Sequence, residues 1–388
     1  MAGGYEDYLR RAAGEGDEER VKKLLKRGVS ADPRHTQHTS ALELAARNGH
    51  IGCVVALMDA GADANRASDS TPVIEAAANG HVDILKLMLQ RKADPTQKLD
   101  GNSALHMAAH FGHQAAIEVL AAELEMPAAA LAANNEGKTP LMLACSLPAG
   151  GEAVVQYLLG IRADPAAADA AGNNALHHAA LAGNAALVKL LLDSGKAGPV
   201  AQAAANSNGR TPLHVAACFG RSDVAQLLLQ QKQAGVVATA DKDGSTVLHL
   251  VVKSLLCNQA TQLDMAQAFI RAGANPAALD AAGFAAEHYA AGAVKKLLAS
   301  PAGAAVAAPP MPEDAVLATS SSGALPQQQA TPAGKAEKLR QALAIAMAEN
   351  EAAGSESWVV KQALRRHTSE EQDGWKLTTA VTDHDHAK

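Results

Sequence analysis

Two kinds of apolar cluster alternate along roughly the first three quarters of the chain, and each predicts a helix. The first is a compact run of Leu and Ala, opened by Ser or Thr and closed by Gly. Examples are Thr71-Pro-Val-Ile-Glu-Ala-Ala-Ala-Asn-Gly80, Ser103-Ala-Leu-His-Met-Ala-Ala-His-Phe-Gly112 and Thr211-Pro-Leu-His-Val-Ala-Ala-Cys-Phe-Gly220. The second, such as Val82-Asp-Ile-Leu-Lys-Leu-Met-Leu89, spaces its apolar residues at i, i+3 and i+4, the periodicity of an amphipathic helix. The opening hydroxyl can cap a first helix by accepting an orphan backbone N–H, and Pro fits the first turn because its missing N–H costs nothing there. Gly80, Gly112, Gly183 and Gly220 stand where a helix ends with positive φ. After the second helix, Gly-Ala-Asp and Asp241-Lys-Asp-Gly244 predict a turn into a hairpin.

Aligning the units on their Leu-like position gives Leu9, Leu42, Val73, Leu105, Leu141, Leu176, Leu213 and Leu248, with spacings of 33, 31, 32, 36, 35, 37 and 35 residues. A period near 33 with the Thr-Pro-Leu-His-x-Ala signature resembles the ankyrin repeat. The resemblance implies an all-α repeat solenoid of helix–turn–helix units with β-hairpin tips. One unit cannot bury its apolar face alone, so stability must come from stacking, and the end units should differ from the rest. They do: Leu9 to Leu25 keeps the pattern amid Arg10, Arg11, Glu15, Asp17, Glu18, Lys22 and Lys23, and Gly283 to Gly292 is a shortened copy. The expected organisation is a capping repeat at 1–34, about seven repeats over 35–277 and a degenerate capping repeat at 278–298. A low-complexity linker rich in Ala, Pro, Ser and Gln follows at 299–333. Residues 334–388 are expected to be a mostly disordered, flexible tail with one or two short helices.

Composition narrows the function. Apolar residues are 48% of the chain but aromatics only 3%, which suits closely stacked helices with small side chains. A net charge of −6 gives no general attraction to nucleic acid. Cys53, Cys145, Cys218 and Cys257 are far apart, without the paired spacing of a disulfide framework or zinc site, so a reducing compartment is expected: cytoplasm, with the nucleus as alternative. Cys145 and Cys218 fall in or beside the Ala-Ala positions and read as small core residues. The amino-terminal segment does not read as a signal peptide, and no apolar run is long enough to span a membrane. Insertions lengthen the units around Met126–Leu131, after Ser194, around Gln231–Thr239 and at Leu255–Gln262.

No motif for nucleotide binding, zinc hydrolysis or an activated serine occurs in its required context, so the chain is expected not to be an enzyme and no cofactor is expected. His106, His177, His214 and His249 occupy the signature position, where the resemblance implies a bond from the ring to the next hairpin's backbone. His50, His81 and His113 follow the closing Gly and are patterned in the same way. His35 and His38, and Asp383 to His386, make weak metal candidates. Thr368, after Arg365 and Arg366, fits a kinase site. Asn65 and Asn275 read as turn-formers.

The resemblance implies that a partner lies along a groove framed by the first helices and the hairpin tips. Position by position, the candidate contacts are Met107, His110, Phe111, Leu143, Leu147, His178, Leu181, Val215, Phe219 and Leu250 on the helices, with Lys98, Arg210 and Lys242 at the tips. Trp358 and Trp375, the two tryptophans, are candidate anchors outside the repeats. The expected role is that of a protein-binding adaptor or scaffold, monomeric, with one or more protein partners. The alternative is a regulatory or inhibitory subunit of an enzyme or chaperone complex.

Overall fold

The computed structural model describes residues 3–32, 39–66, 70–124, 132–231, 235–254 and 256–299, all within one compact unit, Met1–Pro310. The linker and tail, with Trp358, Trp375 and Thr368, lie outside the described residues, as do His35, His38, Asp383 to His386 and the insertion at Met126–Leu131.

Among the described residues nine helix pairs follow one another. The first, inner helices are Gly3–Glu15, Ala41–Arg47, Pro72–Ala78, Ala104–His110, Pro140–Cys145, Ala175–Ala182, Pro212–Cys218, Val247–Lys253 and Ala286–Tyr289. The second, outer helices are Glu18–Lys26, Ile51–Asp59, Val82–Gln90, Gln114–Glu123, Glu152–Gly160, Ala185–Asp193, Ser222–Gln230, Gln259–Arg271 and Gly292–Ala299. We number the pairs repeats 1 to 9. Each inner helix packs on the inner helix of the next repeat, and each outer helix on the next outer helix, so the core is one continuous layer between two rows. The described residues form a mostly helical solenoid of stacked helix pairs.

The close approach of the inner row follows from its small side chains. Ala12 with Ala13, Ala45 with Ala46, Ala108 with Ala109, Ala179 with Ala180 and Ala216 with Ala217 are all 0% exposed. Leu42, Leu105, Leu141, Leu176 and Leu248 fill the space beside them, each at 2% exposure or less. Helix starts follow the residues that open each run. Ser40 and Thr71 accept from Glu43 and Ile74 N–H, and Thr139 from Met142 N–H. The insertion at Leu255–Gln262 is in part helical, because Asn258 caps a 13-residue outer helix that begins at Gln259. The insertion after Ser194 forms a short helix, Pro199–Ala203.

The hairpins are joined tip to tip. Strands β1 (Lys98–Leu99) and β2 (Asn102–Ser103) pair antiparallel, and single bridges join Ala240 to Thr246 and Leu279 to Ala285. Ala170 N–H donates to Glu136, Ser207 to Ala171, Lys242 to Asn208 and Ala281 to Asp243, each at 2.8–2.9 Å. One Asn or Asp shapes each of these turns by accepting two backbone N–H groups. Asn134 takes those of Glu136 and Lys138, and Asp280 those of Ala282 and Phe284. At Gly137, Gly172, Gly209 and Gly244, φ lies between 70° and 78° and a Cβ would strike the backbone of the following tip, so glycine is required there.

Imidazoles bolt the repeats together in both directions. In repeats 4, 6, 7 and 8 the signature ring accepts at Nδ1 from the N-cap backbone N–H of its own helix. That acceptance leaves the proton on Nε2, which donates forward to a carbonyl: His106 to Lys138, His177 to Arg210, His214 to Thr239 and His249 to Phe284, at 2.9–3.2 Å. Repeat 2 carries Glu43 here, fully buried, and reverses the polarity: it accepts from Ser40 and Ser70 N–H. The second set points backward. His50, His81 and His113 reach the carbonyls of Gly14, Arg47 and Ala78 at 2.9–3.1 Å, each ring lying over the closing Gly of the repeat before. Asn184 and Arg221 reach back in the same way to Leu147 and Leu181. In repeat 8 it is Cys257 that sits over Gly220.

Two outcomes follow for stability. Leu141→Ala, at a site with 0% exposure, is expected to cost about 2–5 kcal/mol, read as a lower denaturant midpoint. Burial holds the rings of His106 and His177 neutral, with pKa values lowered to about 4. An unfolded histidine titrates near 6.5, so between about pH 6.5 and 4 the unfolded chain takes up protons that the fold excludes. Stability is therefore complete above that range and falls as pH drops through it, by up to about 3 kcal/mol for each ring. Thermal unfolding across pH 7 to 4 should show this fall, and His177→Gln should flatten it while lowering stability at pH 7. A parallel pH profile for wild type and variant would contradict the assignment.

Candidate functional site

The face framed by inner helices and hairpin tips differs from the sequence expectation in one respect. The residues following the signature position, expected to line an open groove, are covered: Met107 is 1% exposed, Leu143 6%, His178 7%, Val215 7% and Leu250 5%. The reason is the spacing that the Ala pairs permit. Neighbouring inner helices pack closely along this column, and in repeats 6 and 9 the hairpin base nine residues earlier bonds to it. His178 Nε2 lies 2.9 Å from Asp169 Oδ2, and Tyr289 donates to Asp280 at 2.8 Å across the same nine-residue interval.

What stays open is the column at the carboxy-terminal ends of the inner helices. Leu181 is 38% exposed, and Phe111, Leu147 and Phe219 are half-buried at neighbouring levels of repeats 4 to 7. His110, also half-buried, meets the edge of Phe111 at 4.8 Å between ring centres. Leu147 takes on a packing role as well, lying against Gly112 and Gly151. The sequence placed Cys218 in the core, but it is half-buried on this face; Cys53 and Cys145 are buried, and burial pushes the Cys145 thiol up.

The tip residues divide. Lys98 and Lys242 are exposed. Arg210 is not a free tip: its Nε donates to Asp241 at 3.1 Å, its N–H donates to Asn206 and its carbonyl accepts from His177. Asn275 acts within its turn, accepting from Ala277 N–H, whereas Asn65 accepts from Asp94 N–H of the next repeat.

One arrangement has the outline of a hydrolytic relay. Ser146 Oγ lies 3.3 Å from His178 Nδ1, and His178 Nε2 pairs with Asp169. Ser146, however, donates to the Met142 carbonyl at 3.0 Å and caps the carboxy-terminal end of its helix. Its hydroxyl proton is directed at a carbonyl of its own helix and not at the imidazole. Among the described residues no group of three or more His, Cys, Asp or Glu is placed to hold a metal ion. No described helix is long and apolar enough to cross a membrane.

Sequence reasoning missed the polar cluster that closes the array. Lys253 Nζ donates to Asp280 at 2.9 Å and sits 4.1 Å from the centre of the Tyr289 ring. The Lys253 ammonium and the turn N–H groups hold the Asp280 carboxyl well below the usual range. Tyr289 standing nine residues after Asp280, as His178 does after Asp169, was the available signal.

These features define a repeat protein built of stacked helix pairs. A family model, ankyrin repeats in three copies, matches residues 9–99, 74–169 and 149–240. The chain belongs to the ankyrin repeat family, whose repeats mediate protein–protein interaction. It is 33% identical over 195 residues to the ankyrin repeat protein YahD of Escherichia coli (strain K12), a match spanning 49% of this chain and 96% of that protein. A segment of 70 residues is 46% identical to the inactive serine/threonine-protein kinase TEX14 of Mus musculus, covering 18% of this chain and 5% of that one. Among solved structures, the human ASB11 ankyrin repeat domain aligns with a TM-score of 0.49 and 26% identity, over 57% of this chain and 96% of that domain.

Proposed function

We propose that the chain is a protein-binding adaptor or scaffold that holds a segment of a partner protein along its groove face, across repeats 4 to 7. The observation that carries this reading is the open apolar column: Leu181 exposed, with Phe111, Leu147 and Phe219 half-buried beside it. Apolar side chains bordered by polar tips such as Lys98 and Lys242 form the dry centre and wet rim of a protein interface. The buried column of Met107, Leu143, Val215 and Leu250 supports that surface from beneath. Fixed histidine and Asx bonds hold the backbone, so little ordering entropy remains to be lost on binding. The cytoplasm is the proposed setting.

The test compares capture of proteins from native extract by wild type and by a Phe111→Arg, Leu181→Arg variant. Leu181 is exposed and Phe111 half-buried, so thermal unfolding checks that the variant keeps its fold. Retention of the specifically captured protein is expected to fall by about tenfold or more. Equal retention by both chains would remove this column from the interface.

A further inference from the structure

The hairpin tips stack in a fixed register, and the stack has an open end at repeat 9. Each of the last five tips spans five residues and is closed by its first N–H donating to its fifth carbonyl, from Asn134 with Lys138 to Asp280 with Phe284. At four successive junctions the second N–H of one tip donates to the third carbonyl of the tip before it, ending with Ala281 to Asp243. The next acceptor in that register is the Ala282 carbonyl, and no donor among the described residues reaches it. Gly283 marks the same place. A Cβ on Gly137, Gly172, Gly209 or Gly244 would come within 2.6–2.9 Å of the following tip's backbone, whereas one on Gly283 would meet nothing within 4 Å.

The last tip also changes chemistry at its fifth residue. In the four tips before it this residue is Lys138, Asn173, Arg210 or Ser245, all polar. Two of them are tied to the first residue of the following tip: Asn206 Nδ2 donates to Asn173 Oδ1 at 2.9 Å, and Arg210 Nε to Asp241 Oδ2 at 3.1 Å. At the open end the fifth residue is Phe284, 42% exposed, and Leu279 close by is 62% exposed. Leu279 lies opposite Ala285 across its bridge and Phe284 opposite Asp280, so strand alternation puts an apolar side chain on each face beside the open edge. A terminal repeat that met only water would turn polar residues outward here. His288, at the signature position of repeat 9, makes no hydrogen bond through its ring among the described residues. It stacks on Phe284 at 4.1 Å between ring centres and fixes that ring in place.

We infer that this edge receives an extended segment of a partner protein, which donates one backbone N–H to the Ala282 carbonyl and lays an apolar side chain on Phe284. The occupant continues the tip stack through its backbone but not through its side chains. An Asn or Asp in the next position would face Phe284 and lose the polar bond that Arg210 gives Asp241. An aromatic or branched aliphatic side chain loses nothing there and covers the exposed ring. Strand addition of this kind draws its affinity from main-chain bonds and its selectivity from alternate side chains. The surface is separate from the apolar column of repeats 4 to 7, and the inference does not depend on the groove reading.

The experiment selects linear peptides from a displayed random library on the full 388-residue chain, discarding those that also bind a Leu279→Ser, Phe284→Ser chain. The peptides kept are expected to share an apolar position, and replacing it by Ser should weaken binding about tenfold by fluorescence anisotropy. N-methylation along the peptide should find one amide whose loss as a donor weakens binding about three- to tenfold. Gly283→Asn suits the positive φ of 80° while placing a Cβ where the segment's backbone must pass. It should abolish binding, whereas Phe111→Arg, Leu181→Arg should leave it unchanged. Thermal unfolding shows that each variant remains folded. Selected peptides that are charged without an apolar position would overturn the inference, as would full affinity for Gly283→Asn or for every N-methylated peptide. A library that yields no peptide specific to this edge overturns it as well. A photo-crosslinking side chain in place of Leu279 tests the other occupants. Joining to residues beyond 310 of the same chain, or to a second copy, would assign the edge to this protein itself and sink the partner.

Discussion

A pair of short helices cannot bury its own apolar face, and everything in this molecule follows from the need to bury it on a neighbour. Each inner helix is only four to thirteen residues long, too short to persist alone in water. It is held because Ala pairs with no exposure let the next inner helix approach, while Leu side chains fill the layer behind. Close approach has a polar cost, since every repeat brings helix ends and turns with unpaired backbone groups. The imidazole, Asx and carboxylate bonds are the answer to that cost, and each joins one repeat to another or a turn to its own helix.

How much of this was legible follows from where each interaction is written. Caps, closing glycines and helix periodicity are local, so Thr71, Ser103, Gly80 and the run from Val82 to Leu89 marked their elements directly. The signature histidines were legible through the family resemblance, because their partners lie a nearly constant 25–35 residues ahead. The burial of Met107 and its column was not, because the same letter can face a groove or a neighbour depending on how closely helices stack. The cluster of Lys253, Asp280 and Tyr289 was missed for a related reason: it joins residues 27 and 36 positions apart at the shortened end, where the repeat alignment is weakest.

The two ends of the groove face thus differ in kind. In repeats 4 to 7 the open column is apolar. In repeats 7 to 9 Asp241 and Asp280 are folded inward on Arg210 and Lys253, while Asp243 is exposed. One scaffold presents both because the residue at a given level is free to change while the bolts above and below it stay in place. The sites that tolerate change are those whose side chains no adjacent repeat requires.

The bolts themselves are unevenly distributed. The junctions of repeats 2 with 3 and 6 with 7 are held by a forward and a backward polar bond, through Glu43 with His81 and His177 with Arg221. The junction of repeats 3 with 4 has the backward bond of His113, since Ile74 occupies the forward position. That of repeats 5 with 6 has those of Asn184, since Met142 does so there. That of repeats 7 with 8 has the forward bond of His214, with Cys257 rather than an imidazole against Gly220. As a mechanical object the array is therefore a spring of unequal stiffness. A bending load would be shared unequally among junctions that differ in their imidazole bonds.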